Sequence, residues 1–226
     1  IILILLIFFS DKERIKRRLK KAQKLSIQEF PEGAIGKIVG QITSIKEPLV
    51  SPLSLRQCVH YHVVVKEPRT DSRGRSTLST IIDEEYSQDF ILDDGTGKAR
   101  VRMITGERIL APGPGRVFKR LPDPEVYVHK DRHFSSGTFN NAKEQLERLL
   151  ANHERSSTNF LGFNKSIRYE EGILEAGEEV AVYGVGRWVD DPDVEDLPDG
   201  QSQLLIIESS LETRLSISDD FDADES

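Results

Sequence analysis

A single cysteine, a single methionine and a single tryptophan occur in 226 residues. One cysteine cannot close an internal disulfide, and it cannot supply the thiolates of a multi-cysteine zinc site. A surplus of positive charge is also missing. Asp and Glu number 38 against 31 Lys and Arg, a net charge of −7. Phosphate contacts need clustered cations, so nucleic-acid binding along the whole chain is disfavoured. Serine-nucleophile elbows of the Gly-x-Ser-x-Gly type do not occur. His129 and His133 are four apart, but no Glu lies between them and the stretch is turn-rich, so the zinc-helix motif does not apply. What is present suffices for a folded body: 37% apolar residues can fill one sizeable core.

Charge and hydropathy concentrate at the two ends. Ile1 to Phe9 are all apolar, against the roughly 20 residues of a complete spanning helix. Basic residues follow directly: Lys12, Arg14, Lys16, Arg17, Arg18, Lys20, Lys21 and Lys24 against Asp11 and Glu13, a local +6. A signal peptide carries its cations before the apolar core, whereas a stop-transfer anchor carries them after it, on the cytoplasmic side. Residues 1–10 therefore read as the inner end of a transmembrane helix, and 11–32 as a basic juxtamembrane helix or stalk. Lys12, Arg14, Lys16, Arg17, Arg18, Lys20 and Lys21 would lie along anionic headgroups, each adding on the order of 1 kcal/mol. The last residues, 218–226, crowd Asp219, Asp220, Asp222, Asp224 and Glu225 and read as a solvated, disordered tail. Residues 25–218 keep a charge of −8, so the body should be held off the bilayer by its stalk.

Between these ends, 33–217, the pattern is that of a mainly β domain. The spacing of Ile15, Leu19, Ala22 and Gln23 predicts a helix over 11–29, ended by Pro31 and Gly33. Ala34 to Ile45 alternates, and Gly36 and Gly40 on one side suggest a sharply curved strand. Cys58 to Lys66 is a β-branched strand, and 67–80 reads as an exposed loop. Phe90 to Met103 alternates on both sides of Asp93-Asp94-Gly95-Thr96-Gly97, the pattern of a β-hairpin. The 105–139 stretch is turn-rich. Ala142 to His153 is an amphipathic helix with Ala142, Leu146, Leu149, Leu150 and His153 on one face, capped by Asn141 and Glu144. Ile167–Leu174, Glu179–Val189 and Gln203–Leu215 supply three more strands. The order predicts a small antiparallel, OB-like barrel of α+β class with long insertions.

Few constellations carry chemistry. Cys58, His60 and His62, at alternate positions of one strand, would share a face and are the candidate metal ligands. Same-face neighbours lie roughly 7 Å apart, wide for a first shell, and a half-buried strand explains them as well. Asp94, Gly95 and Gly97 read as turn residues. The loop lacks the attacking Asp of an aspartyl phosphatase, since Leu92 stands in its place, and it lacks the Lys-Ser/Thr of a phosphate-binding loop. Arg168 and Glu171 are the candidate ligand or conformational contact, or else a surface ion pair. No catalytic set, cofactor or metal is expected.

Taken in order, Ser51-Pro52-Leu53-Ser54, Cys58-Val59-His60-Tyr61, Phe90-Ile91-Leu92-Asp93-Asp94-Gly95-Thr96-Gly97-Lys98-Ala99-Arg100-Val101, and Arg168-Tyr169-Glu170-Glu171-Gly172-Ile173-Leu174 with Gly177 and Val180 to Gly184 resemble the GIDE domain. That domain is also called BAM, for beside a membrane, and the resemblance covers roughly 45–215. It implies a β-rich domain next to a membrane anchor. The MULAN-type members are membrane-anchored E3 ubiquitin ligases with a RING finger after the domain. A RING needs eight Cys or His ligands, and this chain has one Cys. The expectation is thus a membrane-anchored, non-enzymatic binding or sensor domain facing the cytoplasm. It would bind a ligand or protein partner through the loops at 67–80 and 105–139. The alternatives are a part of a MULAN-like ligase whose RING lies elsewhere, and an OB-like nucleic-acid binder using Tyr61, Phe90 and Arg100.

Overall fold

The computed structural model describes residues 11–70, 72, 74–110, 118–128, 133–135, 140–153, 167–190 and 203–220. The expected anchor, 1–10, and the tail residues 221–226 lie outside the described residues. Among the described residues no helix is long and apolar enough to cross a membrane. The elements are α1 (Asp11–Lys21), β1 (Ile35–Ser44), β2 (Leu49–Val50), β3 (Gln57–Cys58), β4 (His60–Thr70), β5 (Ser76–Ser87), β6 (Phe90–Asp93), β7 (Lys98–Val101), β8 (Arg108–Leu110), β9 (Phe118–Arg120), β10 (Glu125–Tyr127), β11 (His133–Ser135), α2 (Asn140–Asn152), β12 (Arg168–Leu174), β13 (Glu179–Val189), β14 (Leu204–Glu208) and β15 (Ser216–Ser218). The class is mainly β with two helices, as the patterning implies. The body expected as one domain over 33–217 divides instead into two compact units. Among the described residues, the first takes those within 1–47, 88–129 and 176–226, the second those within 48–87 and 130–175.

The first unit is a closed barrel of five strands, in the order β1-β6-β7-β14-β13 and back to β1. All pairings are antiparallel except β7 with β14, where Ala99, Arg100 and Val101 lie beside Leu205, Ile206 and Ile207 in parallel. Alternate residues fill the interior: Ile38, Phe90, Leu92, Val101, Leu205 and Ile207 are all fully buried. Gly40 permits the closure. A Cβ there would meet the Asp93 carbonyl oxygen at 2.5 Å, so only glycine lets β1 pass from β13 to β6. β13 carries β15 on its other side, and β10 joins β15 in parallel.

The helix expected over 11–29 stops at Lys21. Residues 22–34 form a strap that is extended beside β1 at 23–25 and then turns twice, because the upper half of β1 offers backbone partners that β6 does not use. Leu25 N donates to the Lys37 carbonyl and Lys37 N to the Gln23 carbonyl, both at 2.9 Å. Ile27 and Phe30 are buried beneath the strap. The Phe30 ring lies over Gly186, where a Cβ would come within 2.3 Å of it. The Trp188 indole N–H donates to the Phe30 carbonyl at 2.9 Å. A continued helix would leave these apolar groups in water.

In the second unit, a four-stranded antiparallel sheet runs β11-β12-β4-β5. α2 covers one face: Leu146, Leu149 and Leu150 pack with Leu53, Val63, Val65, Ile82 and Tyr169. His153, expected on that apolar face, is exposed. The 67–80 segment, expected as a loop, is mostly ladder, with Glu67 to Thr70 opposite Ser79 to Ser76. Pro68 is accommodated there because the β12 ladder ends at Lys66, so only β5 pairs beside it among the described residues. The register slips between Val65 and Lys66. The strand expected over Gln203–Leu215 ends at Glu208. A turn follows, in which Ser210 N donates to the Thr213 carbonyl.

Candidate functional site

The basic helix is the most heavily built feature of the first unit. Ile15 and Leu19, four apart and so on one helix face, are buried against Ala181, with Val39, Tyr127 and Tyr183 packed around them. That cover explains why Val180, Ala181 and Val182 are buried on both faces of β13. Arg14 and Arg18 flank the apolar stripe and both reach Glu125, Arg18 at 2.8 Å. Arg214 reaches the same carboxylate at 2.5 Å, and Arg18 also donates to the Ser216 hydroxyl. Burial pushes the Glu125 carboxyl up, but hydrogen bonds from Arg214, Arg18 and Arg14 outweigh burial and hold it below the usual carboxylate range. On the other flank, Lys16 and Lys12 approach Asp220 at 2.6 and 3.9 Å. The Lys12 ammonium sits 4.8 Å from the centre of the Tyr127 ring. The stalk expected to hold the body at a distance is therefore part of the barrel unit. The tail expected to be disordered from 218 includes Ser218 in β15 and the ion-paired Asp220.

Asp93 to Gly97 form the expected turn between β6 and β7. Asp94 Oδ1 accepts from Thr96 N at 2.8 Å and Gly97 N at 3.1 Å, and Asp93 Oδ1 accepts from Gly95 N at 2.8 Å. Gly95 has φ +81°, a left-handed value that favours glycine. The turn has a further role that its sequence does not show. Asp94 Oδ2 accepts from Ile27 N at 2.8 Å and so fastens the strap.

In the second unit, Glu171 is buried and accepts from Leu53 N at 2.9 Å and Ser54 N at 3.1 Å. It thereby fixes the Ser51 to Arg56 turn. The Ser51 hydroxyl meets the Ser54 hydroxyl at 2.7 Å and accepts from Arg56 N at 3.2 Å. Arg56 pairs with Glu175. Leu53 points into the core, while Leu55 is 53% exposed with φ +57°, a conformation costly for a side chain with a Cβ. Two of the pieces on which the GIDE resemblance rests are thus joined by one carboxylate. Arg168 does not share this site. Three residues apart on a strand place it on the opposite face from Glu171, where it is exposed.

Cys58, His60 and His62 do not lie on one strand. Cys58 ends β3, opposite Leu49, and the ladder breaks at Val59 before β4 begins. Cys58 is buried, its thiol toward the Leu49 carbonyl. His60 is buried beside the Ser87 hydroxyl at 2.8 Å. Burial, with the His62 ring adding a smaller effect, lowers its pKa to about 3. His62 instead reaches Asp83 at 2.7 Å at the surface. No group of His, Cys, Asp or Glu among the described residues gathers as a metal site. Of the three residues expected for nucleic acid, Phe90 is fully buried in the barrel, Arg100 is held by Asp89 at 3.0 and 3.1 Å, and Tyr61 belongs to the other unit.

Two functional-looking residues had no signal in the sequence. Glu125 lies in a turn-rich stretch far from the helix it anchors, and Asp220 lies inside an acidic run. Only the charge excess of 11–24 hinted that carboxylates elsewhere must receive it. Compared with known proteins, the chain matches no family model, no curated protein and no solved structure.

Proposed function

We propose that the chain is a membrane-anchored, non-enzymatic module that binds a ligand or protein partner at the cytoplasmic face of a membrane. The observation that carries this reading is the docking of α1. The helix begins two residues after the apolar run Ile1–Phe9 and is packed and ion-paired into the barrel unit. An anchor formed by that run would hold the barrel through a rigid element. The barrel reads as OB-like, since its strands follow the order first, second, third, fifth, fourth, with the third and fifth parallel. That architecture serves recognition more often than one chemistry. The resemblance to the GIDE domain supports the same reading. Recognition falls to the β4–β5 hairpin arm, where Arg69, Thr70, Arg75, Thr77 and Leu78 are exposed.

Fractionation tests the anchor. An extract of cells producing the chain is spun to separate membranes from supernatant. The chain is expected in the membrane pellet, resistant to high salt and carbonate and released by detergent. Recovery in the supernatant without detergent overturns the reading.

A further inference from the structure

α1 has a fixed roll about its axis. Ile15 and Leu19 face the barrel, Arg14 and Arg18 turn to Glu125 on one flank, and Lys12 and Lys16 turn to Asp220 on the other. At 3.6 residues per turn, Arg17, Lys20 and Lys21 fall on the side away from Ile15 and Leu19. All three are exposed, as is Lys24 just beyond the helix. Arg17 also donates to the Glu13 carbonyl at 3.1 Å, along the helix surface. The seven cations read from the sequence as one headgroup-binding set are therefore of two kinds. Four are turned toward two carboxylates of the barrel unit, and three form an outward stripe that Lys24 extends.

We propose that this outward stripe, Arg17, Lys20, Lys21 and Lys24, is the contact surface for an anionic lipid bilayer, and that α1 lies along the headgroups with the barrel on its far side. The inference rests on the membrane reading above and names the residues that make the contact. Two observations select lipid as the occupant. The stripe is positive while the chain as a whole is −7, so an anionic surface attracts this face and repels the rest. It also follows within the same stretch as the apolar run Ile1–Phe9, which would enter the bilayer beside it. Arg14, Arg18, Lys12 and Lys16 are turned toward the barrel unit and so away from the middle of that face.

Vesicle flotation tests the stripe with the whole 226-residue chain. One set of vesicles is pure phosphatidylcholine, the other one-third phosphatidylserine. The chain is expected to float with both and more tightly with the second, the gain vanishing in high salt. The variant R17Q/K20Q/K21Q is expected to keep the phosphatidylcholine binding and lose about a hundredfold in the anionic gain. The variant K46Q/K119Q/R148Q removes three exposed cations elsewhere and is expected to keep the gain. Near-ultraviolet circular dichroism checks that both variants are folded. If the first variant keeps the anionic gain, the stripe is overturned while the anchor stands. Flotation with anionic vesicles alone, lost in the first variant, supports the stripe and removes the anchor. Flotation with neither set overturns both. Binding to a single-stranded oligonucleotide at comparable affinity, lost in the same variant, overturns lipid as the occupant.

Discussion

Glu171 shows how much structure one side chain can hold. Its carboxylate satisfies two backbone donors of the Ser51 to Arg56 turn in a buried setting. Replacing it with alanine leaves both donors unpaired. Glu171→Ala is expected to lower the stability of the second unit by about 2–4 kcal/mol, read by denaturant unfolding. His60 makes a pH-dependent contribution. Its folded pKa of about 3 lies below the ordinary 6.5, so the neutral ring stabilises the fold above pH 6.5, and that stability is lost as pH falls toward 3. The loss should reach about 2–3 kcal/mol by pH 4.5, and the His60→Gln variant should remove that slope. An unchanged slope in the variant would assign the titration to another group. At this scale the sequence was only half legible. Asp94, Gly95 and Gly97 were readable as a turn because their spacing is local. The partners of Glu171, Glu125 and Asp220 lie up to 118, 111 and 208 residues away along the chain, beyond anything a local pattern encodes.

At the scale of elements, the best-read segments were two long strands and a tight turn, whose signals are local. β12 and β13 sit within a residue of the alternation seen in the sequence, and the β6–β7 hairpin follows its Asp-Gly turn. The misread segments have separate causes. Residues 22–29 have helical spacing, yet the free side of β1 offers hydrogen bonds, and Ile27 and Phe30 gain burial by taking them as a strap. Residues 67–80 are polar, yet they form the arms of a hairpin that faces water on both sides, so no apolar alternation marks them. Val59 breaks what looked like one strand from Cys58 to Lys66. The α1 docking depends on Glu125. Glu125→Gln removes the charge on which Arg14, Arg18 and Arg214 converge and is expected to cost about 1–3 kcal/mol, less than a fully buried pair because the arginines are partly solvated. Because the Glu125 pKa is held down in the fold, its contribution is present above the ordinary carboxylate range and disappears as pH falls through the folded value. Amide hydrogen exchange should show α1 opening faster in the variant at neutral pH, with the barrel strands unchanged.

The whole molecule carries two cores on one chain that passes between them four times. Neither the crossings nor the parallel β7–β14 contact follows from any period in the sequence, since both are set by which distant strands meet. Each core should open as its own cooperative unit. Val63→Ala, a truncation among Leu149, Val65 and Tyr169, is expected to cost about 1–3 kcal/mol. It should raise amide exchange in β4, β5 and β12 while β1 and β13 keep their protection. Uniform loss of protection across both units would show a single cooperative core. The two sheets also differ in how they end. The barrel returns to its first strand, and the branch it carries through β15 ends on β10, an edge of only three residues against twelve in β5. The four-stranded sheet stops at β11 and β5 among the described residues. Any cross-molecular ladder, in crowding or on heating, would therefore start from the open sheet and leave the ring as a passenger.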